Sequence, residues 1–478
     1  VPERVRCASA GSDPRRSGHT EERLTAAGLI LHWRIGRALA HNPPKRGAAR
    51  ATSMMHVYLE TYGCQMNVAD SELVTAILKS GGCEMAETPE LADAILLNTC
   101  AVREHAEERI IGRVGELAQH KYERPQVIIG VLGCMAQHLG EDLIKRSRFV
   151  DIVAGPDSYR RLPGLLERAR AEKALDVRLD RRETYDGITP ERADGVTAWL
   201  TVQRGCDKCC TFCVVPAVRG RERCIPLADL VLRAEKLAAE GVREITLLGQ
   251  TVSSYTDGEH DFAALLLELA RIPELLRIRF TSPYPTDFSP KLIEAMAKCE
   301  KIARHVHLPL QSASDAVLKK ARRRYTIAEY DAVLQALRAA MPGMAVSTDI
   351  IAGFHGEGEN EFQETCDYIR KARFDFAFMF KYSRRSRTAA WRWQETVDEE
   401  TKSRRLKTII DIQEQISREV QQACVGQTAR VLVEGVSKRE DGWLFGKTSE
   451  FRQVVFEDPA ARPARGSTGQ ATGAVSGW

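Results

Sequence analysis

Cys206, Cys210 and Cys213 stand in the run Arg204-Gly205-Cys206-Asp207-Lys208-Cys209-Cys210-Thr211-Phe212-Cys213-Val214-Val215-Pro216. The spacing C-x3-C-x2-C puts three thiolates on one loop, not four. A [4Fe–4S] cluster held by three cysteines keeps one iron open, whereas a cluster with four cysteine ligands normally only carries electrons. An open iron can take the amine and carboxylate of a small molecule and hand it one electron, which is the chemistry that activates S-adenosylmethionine. Two other readings stay open. A zinc knuckle would need a second Cys or His pair at short spacing about 12 to 20 residues away, and only Cys224 lies near. Disulfides would need an exporting signal peptide, which the sequence does not present convincingly. Cys209 also permits a shifted spacing, Cys206-x2-Cys209, which would strand Cys213.

At 478 residues the chain has room for about three domains. No apolar stretch approaches the ~18 residues that a membrane-spanning helix needs, so an integral membrane protein is excluded and no membrane partner is expected. The net charge of +4 misleads as it stands. Residues 1–50 hold ten Arg or Lys against four Asp or Glu, a net of +6, so the remainder sums to 4 − 6 = −2. An argument for nucleic-acid binding must rest on local basic clusters. Thirteen cysteines point to a reducing compartment, and a cytoplasmic location is expected. The chain opens on Val1, and Met54-Met55 precede the first strand-like run. Residues 1–53 are expected to be a disordered extension, with an Arg-rich targeting segment as the alternative.

From residue 57 to about 182, short apolar runs alternate with helical stretches. Strands are expected at 57–60, 94–97 and 127–132, and helices at about 70–78 and 104–119, which together describe a parallel sheet covered by helices. Cys64, Cys100 and Cys134 each lie just past a strand end. In open α/β sheets the carboxyl ends of the strands form the ligand crevice, so three cysteines distant in sequence can converge there as a second three-thiolate set. Three buried structural cysteines are the alternative. A charged, strand-poor linker, about 178–194, leads to strands at 199–203, 244–248, 277–280, 305–310, 346–354 and 374–381, separated by helical stretches. Six such repeats suit a partial barrel, whose chemistry sits on the loops at the C-terminal strand ends. The cysteine loop takes the first of those positions. A helix at 399–422 leads to a short β-rich stretch, 427–456, and the Gly-, Ser-, Ala- and Pro-rich tail after Asp458 reads as disordered.

Six segments in order carry a resemblance: Tyr62-Gly63-Cys64-Gln65-Met66-Asn67, Asn98-Thr99-Cys100-Ala101-Val102-Arg103-Glu104, Gly205-Cys206 through Arg219-Gly220-Arg221-Glu222, Leu247-Leu248-Gly249-Gln250, His307-Leu308-Pro309-Leu310-Gln311-Ser312, and Ser347-Thr348-Asp349-Ile350-Ile351. From about Met55 to Phe456 the chain resembles the radical S-adenosylmethionine methylthiotransferases, most closely their branch acting on isopentenyl-adenosine in tRNA. The resemblance implies an α/β fold with an N-terminal methylthiotransferase domain (54–182), a partial (β/α)6 radical barrel (183–423) and a small, shortened C-terminal β domain of TRAM type (424–458), followed by a disordered tail (459–478). The chain departs from the family pattern at Cys224-Ile225-Pro226, usually Ser-Arg-Pro, and at Phe354-His355-Gly356-Glu357, usually Phe-Pro-Gly-Glu. It departs again at Tyr382-Ser383-Arg384-Arg385-Ser386-Arg387-Thr388, usually Tyr-Ser-Pro-Arg-Pro-Gly-Thr.

Carried over residue by residue, the resemblance implies two [4Fe–4S] clusters, one on Cys64, Cys100 and Cys134 and a radical cluster on Cys206, Cys210 and Cys213, with S-adenosylmethionine as the further cofactor. Phe212 takes the place where such enzymes set an aromatic against the adenine, and Gly249 and Gln250 are candidates for cofactor contact, with strand-end packing as their alternative. The implied reaction moves a methylthio group to C2 of N6-isopentenyladenosine in tRNA. It needs a flavodoxin- or ferredoxin-type electron donor and a sulfur donor, and a monomer is expected. Sister enzymes acting on threonylcarbamoyl-adenosine or a ribosomal-protein aspartate, and a non-catalytic iron–sulfur or RNA-binding protein, are the alternatives. For RNA phosphates the basic runs 319–324 and 384–387 are the candidates, against a solvated helix face. Asp349 reads either as a barrel-interior group or a structural carboxylate, and His307 as a hydrogen-bonded core histidine.

Overall fold

The computed structural model describes residues 54–101, 104–192, 195–437, 443–457 and 470–474. The expected extension 1–53 lies outside the described residues, as does most of the expected tail. The first unit runs β1 (Met55–Tyr62), α1 (Gln65–Ser80), β2 (Cys83–Met85), β3 (Ala94–Thr99), α2 (Glu104–Leu117), α3 (Gln119–Glu123), β4 (Ile128–Gly133), α4 (Cys134–Leu139), α5 (Glu141–Arg146), β5 (Ile152–Ala154), α6 (Leu162–Ala169) and β6 (Ala174–Asp176). Its six strands form one sheet in the order β2-β1-β3-β4-β5-β6, every pair parallel.

Both faces of that sheet are covered, which is why β3 and β4 are apolar almost throughout and buried at every position. Ala94, Leu96, Ile128 and Leu132 pack toward α1 and α6, while Ile95, Leu97, Ile129 and Val131 pack toward α2 and α4. Each Leu, Ile or Val among them contributes about 1.5–3 kcal/mol of transfer free energy. The chain leaves β1 toward β2 on one side and resumes with β3 on the other, so a crevice opens at the carboxyl ends of β1 and β3. Strands β2, β5 and β6 were not foreseen; at three residues each they are too short to show a period.

The second unit continues with β7 (Thr197–Thr201), β8 (Gln203–Arg204), α7 (Val215–Arg219), β9 (Arg223–Cys224), α8 (Leu227–Ala239), β10 (Glu244–Leu248), α9 (Phe262–Ala270), β11 (Arg277–Phe280), α10 (Pro290–Lys298), β12 (His305–His307), α11 (Asp315–Lys320), α12 (Ile327–Ala340), β13 (Ala345–Ala352), α13 (Glu359–Ala372), β14 (Phe376–Lys381) and α14 (Glu399–Gln422). Parallel strands β7, β10 and β11 form one sheet and β12, β13 and β14 another. The parallel bridge Ile278–Ile302 joins them just before β12. The result is the six-stranded open half-barrel that the β/α repeat predicts. Helices cover its outer face, with Ile350, Ala352 and Met379 against Phe362, Ile369, Ile409 and Ile416.

The C-terminal sheet contains β15 (Thr428–Val436), β16 (Trp443–Thr448), β17 (Gln453–Glu457) and β18 (Gln470–Ala474), antiparallel in the order β17-β16-β15-β18. The expectation of disorder after Asp458 is corrected at residues 470–474, which pair with β15 from Thr428↔Ala474 to Leu432↔Gln470. The free edge of β15 offers a row of backbone donors and acceptors, and pairing with it needs no bulky side chains, so a low-complexity segment can add a strand that composition does not reveal. The β16–β17 turn docks on the N-terminal end of the half-barrel. Arg277 donates to Lys447 O at 2.9 Å, and Arg279 donates to Thr448 O and Ser449 O at 2.5 and 3.0 Å. Glu244 holds both guanidinium groups from β10, at 2.9 and 3.0 Å.

Candidate functional site

Cys64 caps α1 directly after β1, Cys100 follows β3, and Cys134 opens α4 directly after β4. The parallel register aligns Tyr62 with Thr99 and Thr99 with Gly133, so the three cysteines leave the sheet at one level. Buried amides lock the loops together. Asn98 donates from Nδ2 to Asn67 O and to Ser71 Oγ, both at 2.9 Å, and Asn67 donates to Thr99 O at 3.1 Å. Asn67 Oδ1 in turn accepts from the Cys64 thiol at 3.3 Å. Gly133 has φ +88°, and a Cβ there would stand 2.5 Å from Asn98 Oδ1, so only glycine lets the amide approach. The Cys64 thiol is lowered to about 6, first by its hydrogen bond with Cys100 and further by the charge of Arg219. Burial pushes the Cys134 thiol up, and Arg219 opposes the shift.

The second thiol loop leaves β8 through Gly205, whose φ of +78° and 2.0 Å approach of a would-be Cβ to Arg221 O again require glycine. Thr251 Oγ1 lies 3.2 Å from the Cys206 sulfur, Lys208 N–H donates to the same sulfur at 3.4 Å, and Arg323 reaches the Cys210 sulfur at 3.5 Å. Burial raises the Cys213 thiol to about 12, and the neighbouring Cys210 adds to the shift. Phe212 meets Phe354 edge-on at 6.0 Å beside Ile351 and Trp393. Gln250 accepts the Gly205 N–H at 2.5 Å, and Gly249 lets the Gln203 side chain pass, since a Cβ would meet Gln203 Oε1 at 2.8 Å. The second barrel strand thus braces the start of the thiol loop through its backbone.

The two thiol sets are neighbours. Ala101 and Cys134 share one buried apolar cluster with Val214 and Val218, so the residue after Cys100 and the residue after Cys213 lie in the same small core. Asp70 from α1, fully buried, pairs with Arg204 at 2.9 Å and with Arg219 at 2.8 Å, and Arg219 Nε donates to the Cys134 sulfur at 3.2 Å. Asp157 adds a second buried pair across the units, to Arg223 at 2.9 Å. Sequence reasoning assigned no role to Asn67, Asn98, Asp70 or Arg219, and took Arg323 only as one cation of a basic run. An asparagine inside the apolar run Ile95-Leu96-Leu97-Asn98 was the available signal, because a polar group there must find buried partners.

The basic runs divide. After α11, Arg322 adopts φ +54° and turns the chain, so that Arg323 stacks over Tyr284 at 4.4 Å and faces the cysteine loop, not solvent. Lys319, Lys320, Arg322 and Arg324 stay exposed. In the second run Arg385 is buried and Arg387 donates to Gln137 O at 3.0 Å, while the Ser386 hydroxyl hydrogen-bonds His138 at 2.5 Å. The candidate RNA contact at 384–387 is corrected on that side: Arg385 is buried near Glu107 of α2, and Ser386 and Arg387 are bonded to α4. Charge density in a sequence does not say which face it occupies. His355, at another departure, is buried edge-on between Tyr382 and Trp393, at 5.0 and 5.4 Å. His307 is hydrogen-bonded as expected, to Ser347 Oγ at 3.0 Å and Asp349 at 3.2 Å.

The donor chemistry suits iron–sulfur clusters. Each set offers three thiols, and soft sulfur ligands select such centres. Among the described residues no disulfide joins these cysteines, and no group of three Cys, His, Asp or Glu closes on a single metal ion. Thiolates that ligate separate irons of a cluster need not converge on one point. Residues 200–369 match the radical SAM superfamily, and residues 56–155 match the family described as uncharacterized protein family UPF0004. The radical S-adenosylmethionine methyltransferase TsrM from Kitasatospora setae, with cobalamin and a [4Fe-4S] cluster bound, shares the fold at TM-score 0.54 over 82% of each chain, at 14% identity. Half-barrel, cysteine loop and superfamily match define a radical S-adenosylmethionine enzyme, of a class that works with S-adenosylmethionine and [4Fe–4S] clusters. A relative from Chlorobium luteolum, a tRNA-2-methylthio-N(6)-dimethylallyladenosine synthase, is 46% identical over 410 residues, 85% of this chain and 92% of its own. One of the same name from Bacteroides thetaiotaomicron is 41% identical over 419 residues, 86% of this chain and 92% of its own. The chain belongs to the tRNA-2-methylthio-N(6)-dimethylallyladenosine synthase family.

Proposed function

We propose that the chain transfers a methylthio group to C2 of N6-isopentenyladenosine in the anticodon loop of tRNA. In this reading Cys64, Cys100 and Cys134 hold one [4Fe–4S] cluster, and Cys206, Cys210 and Cys213 hold the other. The observation that carries it is the single buried cluster of Ala101, Cys134, Val214 and Val218, which places the two three-thiol sets side by side. A single three-thiol loop would support many radical reactions. Two neighbouring sets suit a reaction that must bring a held sulfur and a radical to one carbon.

The C2–H bond of adenine is unactivated, and no side-chain base deprotonates it near neutral pH, so cofactors carry the hard step. When bound, the clusters supply an electron and an open iron that holds sulfur, and S-adenosylmethionine supplies the methyl group and the hydrogen-abstracting radical. The protein's own residues position these groups. Gln250 and Thr251 fix the start of the cysteine loop, Arg323 sets a charge beside Cys210, and Phe212 offers a ring for the adenine of the cofactor. Asn67 and Asn98 hold the loops of the first set in register. The target base must leave its stack to reach this site, and Lys319, Lys320, Arg322 and Arg324 are the exposed cations for flanking phosphates. Because the reaction consumes electrons and sulfur, the proposed partners besides tRNA are a flavodoxin- or ferredoxin-type donor and a sulfur donor, with the enzyme acting as a monomer in the cytoplasm.

Mass spectrometry of tRNA nucleosides from a strain lacking the gene tests the reading. Isopentenyladenosine should accumulate and its 2-methylthio derivative disappear, with the plasmid-borne gene restoring it. Loss of methylthio-threonylcarbamoyl-adenosine instead, or of no tRNA nucleoside, overturns it.

A further inference from the structure

Strand parity identifies the inner surface of the half-barrel. On β13 and β14, Ile350, Ala352, Ala377 and Met379 pack outward against α13 and α14, so Ser347, Asp349, Ile351, Phe376, Phe378 and Phe380 face inward. The parallel register pairs Ser347 with Phe376, Asp349 with Phe378 and Ile351 with Phe380. These pairs stack in three layers, about 6.6 Å apart.

The layer nearest the cysteine loop contains Ile351, which packs against the same cluster around Phe354 as Phe212 does. The far layer is closed: the Phe451 ring from the β16–β17 turn stacks on His305 at 5.0 Å, and His305 stacks on Phe376 at 5.6 Å. The middle layer stays open. Phe378 is 38% exposed on a strand whose outward neighbours, Ala377 and Met379, are partly buried against the core. His307 meets its ring edge-on at 5.8 Å, holds Asp349 Oδ2 at 3.2 Å and is itself fixed by Ser347. The Asp349 side chain is 29% exposed, and its Oδ1 has no hydrogen-bond partner among the described residues.

An open aromatic face beside an oriented carboxylate, one layer below the ring that borders the cysteine loop, has the parts of a nucleobase reader: a surface for stacking and an acceptor for an exocyclic N–H. A fixed carboxylate also repels an acidic side chain, which disfavours a protein aspartate in this position. We propose that the target adenine stacks on Phe378 and donates its N6–H to Asp349 Oδ1, with His307 holding the carboxylate in place. The assignment rests on the tRNA reading above and names the residues that select the base.

The test compares kcat and KM for isopentenyl-adenosine tRNA in holoenzyme reconstituted with both clusters, as wild type, Phe378→Leu, Phe378→Tyr and Asp349→Ala. Formation of 5′-deoxyadenosine without tRNA serves as the check on folding. Phe378→Leu should raise KM about tenfold, and Phe378→Tyr, which keeps the ring, should stay within about twofold of wild type. Wild type should prefer a substrate stem-loop with isopentenyladenosine over one with N6-methyl-N6-isopentenyladenosine, which lacks the N–H, and Asp349→Ala should lose that preference. An unchanged KM in Phe378→Leu, or a preference retained in Asp349→Ala, overturns the proposal while leaving the tRNA reading intact. If Phe378→Leu loses tRNA-free 5′-deoxyadenosine formation and Phe378→Tyr keeps it, the ring supports the barrel and not the base, and the proposal falls. Wild type that cleaves S-adenosylmethionine but leaves the tRNA unmodified overturns both.

Discussion

Arg219 donates to the Cys134 sulfur at 3.2 Å and holds Asp70 at 2.8 Å with its other arm, so one guanidinium on the radical loop grips both a thiol and a helix of the N-terminal unit. A second arginine, Arg323, stands in a similar relation to Cys210. Each proposed cluster therefore has a positive charge on one of its sulfurs, which favours the thiolate and moderates the negative charge of a bound centre.

Replacing Arg219 by Leu should separate these roles. The change leaves Asp70 buried with only Arg204, and breaking such a pair costs about 3–5 kcal/mol. We expect iron per chain to fall from about eight toward about four, with 5′-deoxyadenosine formation retained. Anaerobic iron determination and EPR of the reduced protein measure this. An Arg219→Leu protein with full iron and an unaltered spectrum would remove the role from Arg219.

The division of labour between the thiol sets is open to a direct check. Replacing Cys206, Cys210 and Cys213 together by Ala should remove about half of the iron and all cleavage of S-adenosylmethionine. Cys64→Ala should keep measurable cleavage while abolishing the methylthio product. Loss of cleavage in Cys64→Ala, in folded protein with the other cluster intact, would argue against separate roles.

How far the sequence carried depended on the range of each signal. Strands β3 and β4 were legible because burial on both faces leaves continuous apolar runs, and β10 and β11 because each is bounded by turns. The thiol positions followed from strand-then-cysteine order. Asp70, Arg204 and Arg219 did not, because their meeting depends on how α1 of one unit lies on the loop of the other, at sequence separations of 134 and 149. Arg323 was misread for a related reason: one left-handed residue, Arg322, reverses the direction in which the basic run points.

Glu72 gives a pH dependence with a definite sign. Burial raises its carboxyl to about 7, against the opposing charge of Arg192. A carboxyl whose folded pKa lies above its ordinary value of 4.5 favours the fold while protonated, so its contribution is fully present below about pH 4.5 and is lost as pH rises through about 7. Above that, the fold must ionise a half-buried acid. Glu72→Gln should therefore stabilise the protein by about 1–2 kcal/mol at pH 8, allowing for solvent screening, and by little at pH 5. Urea unfolding at the two pH values reads the difference, and equal gains at both would exclude Glu72 as the source.

The β16–β17 turn makes the C-terminal sheet part of the barrel. Deleting residues 424–478 removes the Lys447, Thr448 and Ser449 carbonyls from Arg277 and Arg279 and lifts Phe451 off His305. Hydrogen bonds to charged groups are worth about 1.5–3 kcal/mol each, so Tm should fall by about 5 °C or more. We expect tRNA binding to weaken as well, and its salt dependence to flatten, because fewer phosphates are neutralised. Arg279→Leu separates the two effects. It removes two of the three clamping hydrogen bonds without removing the sheet, so it should lower Tm while keeping most of the salt slope. Titrations of tRNA at several salt concentrations, run beside thermal melts, decide between them. A deletion that leaves Tm unchanged would show that the turn rests on the barrel without supporting it.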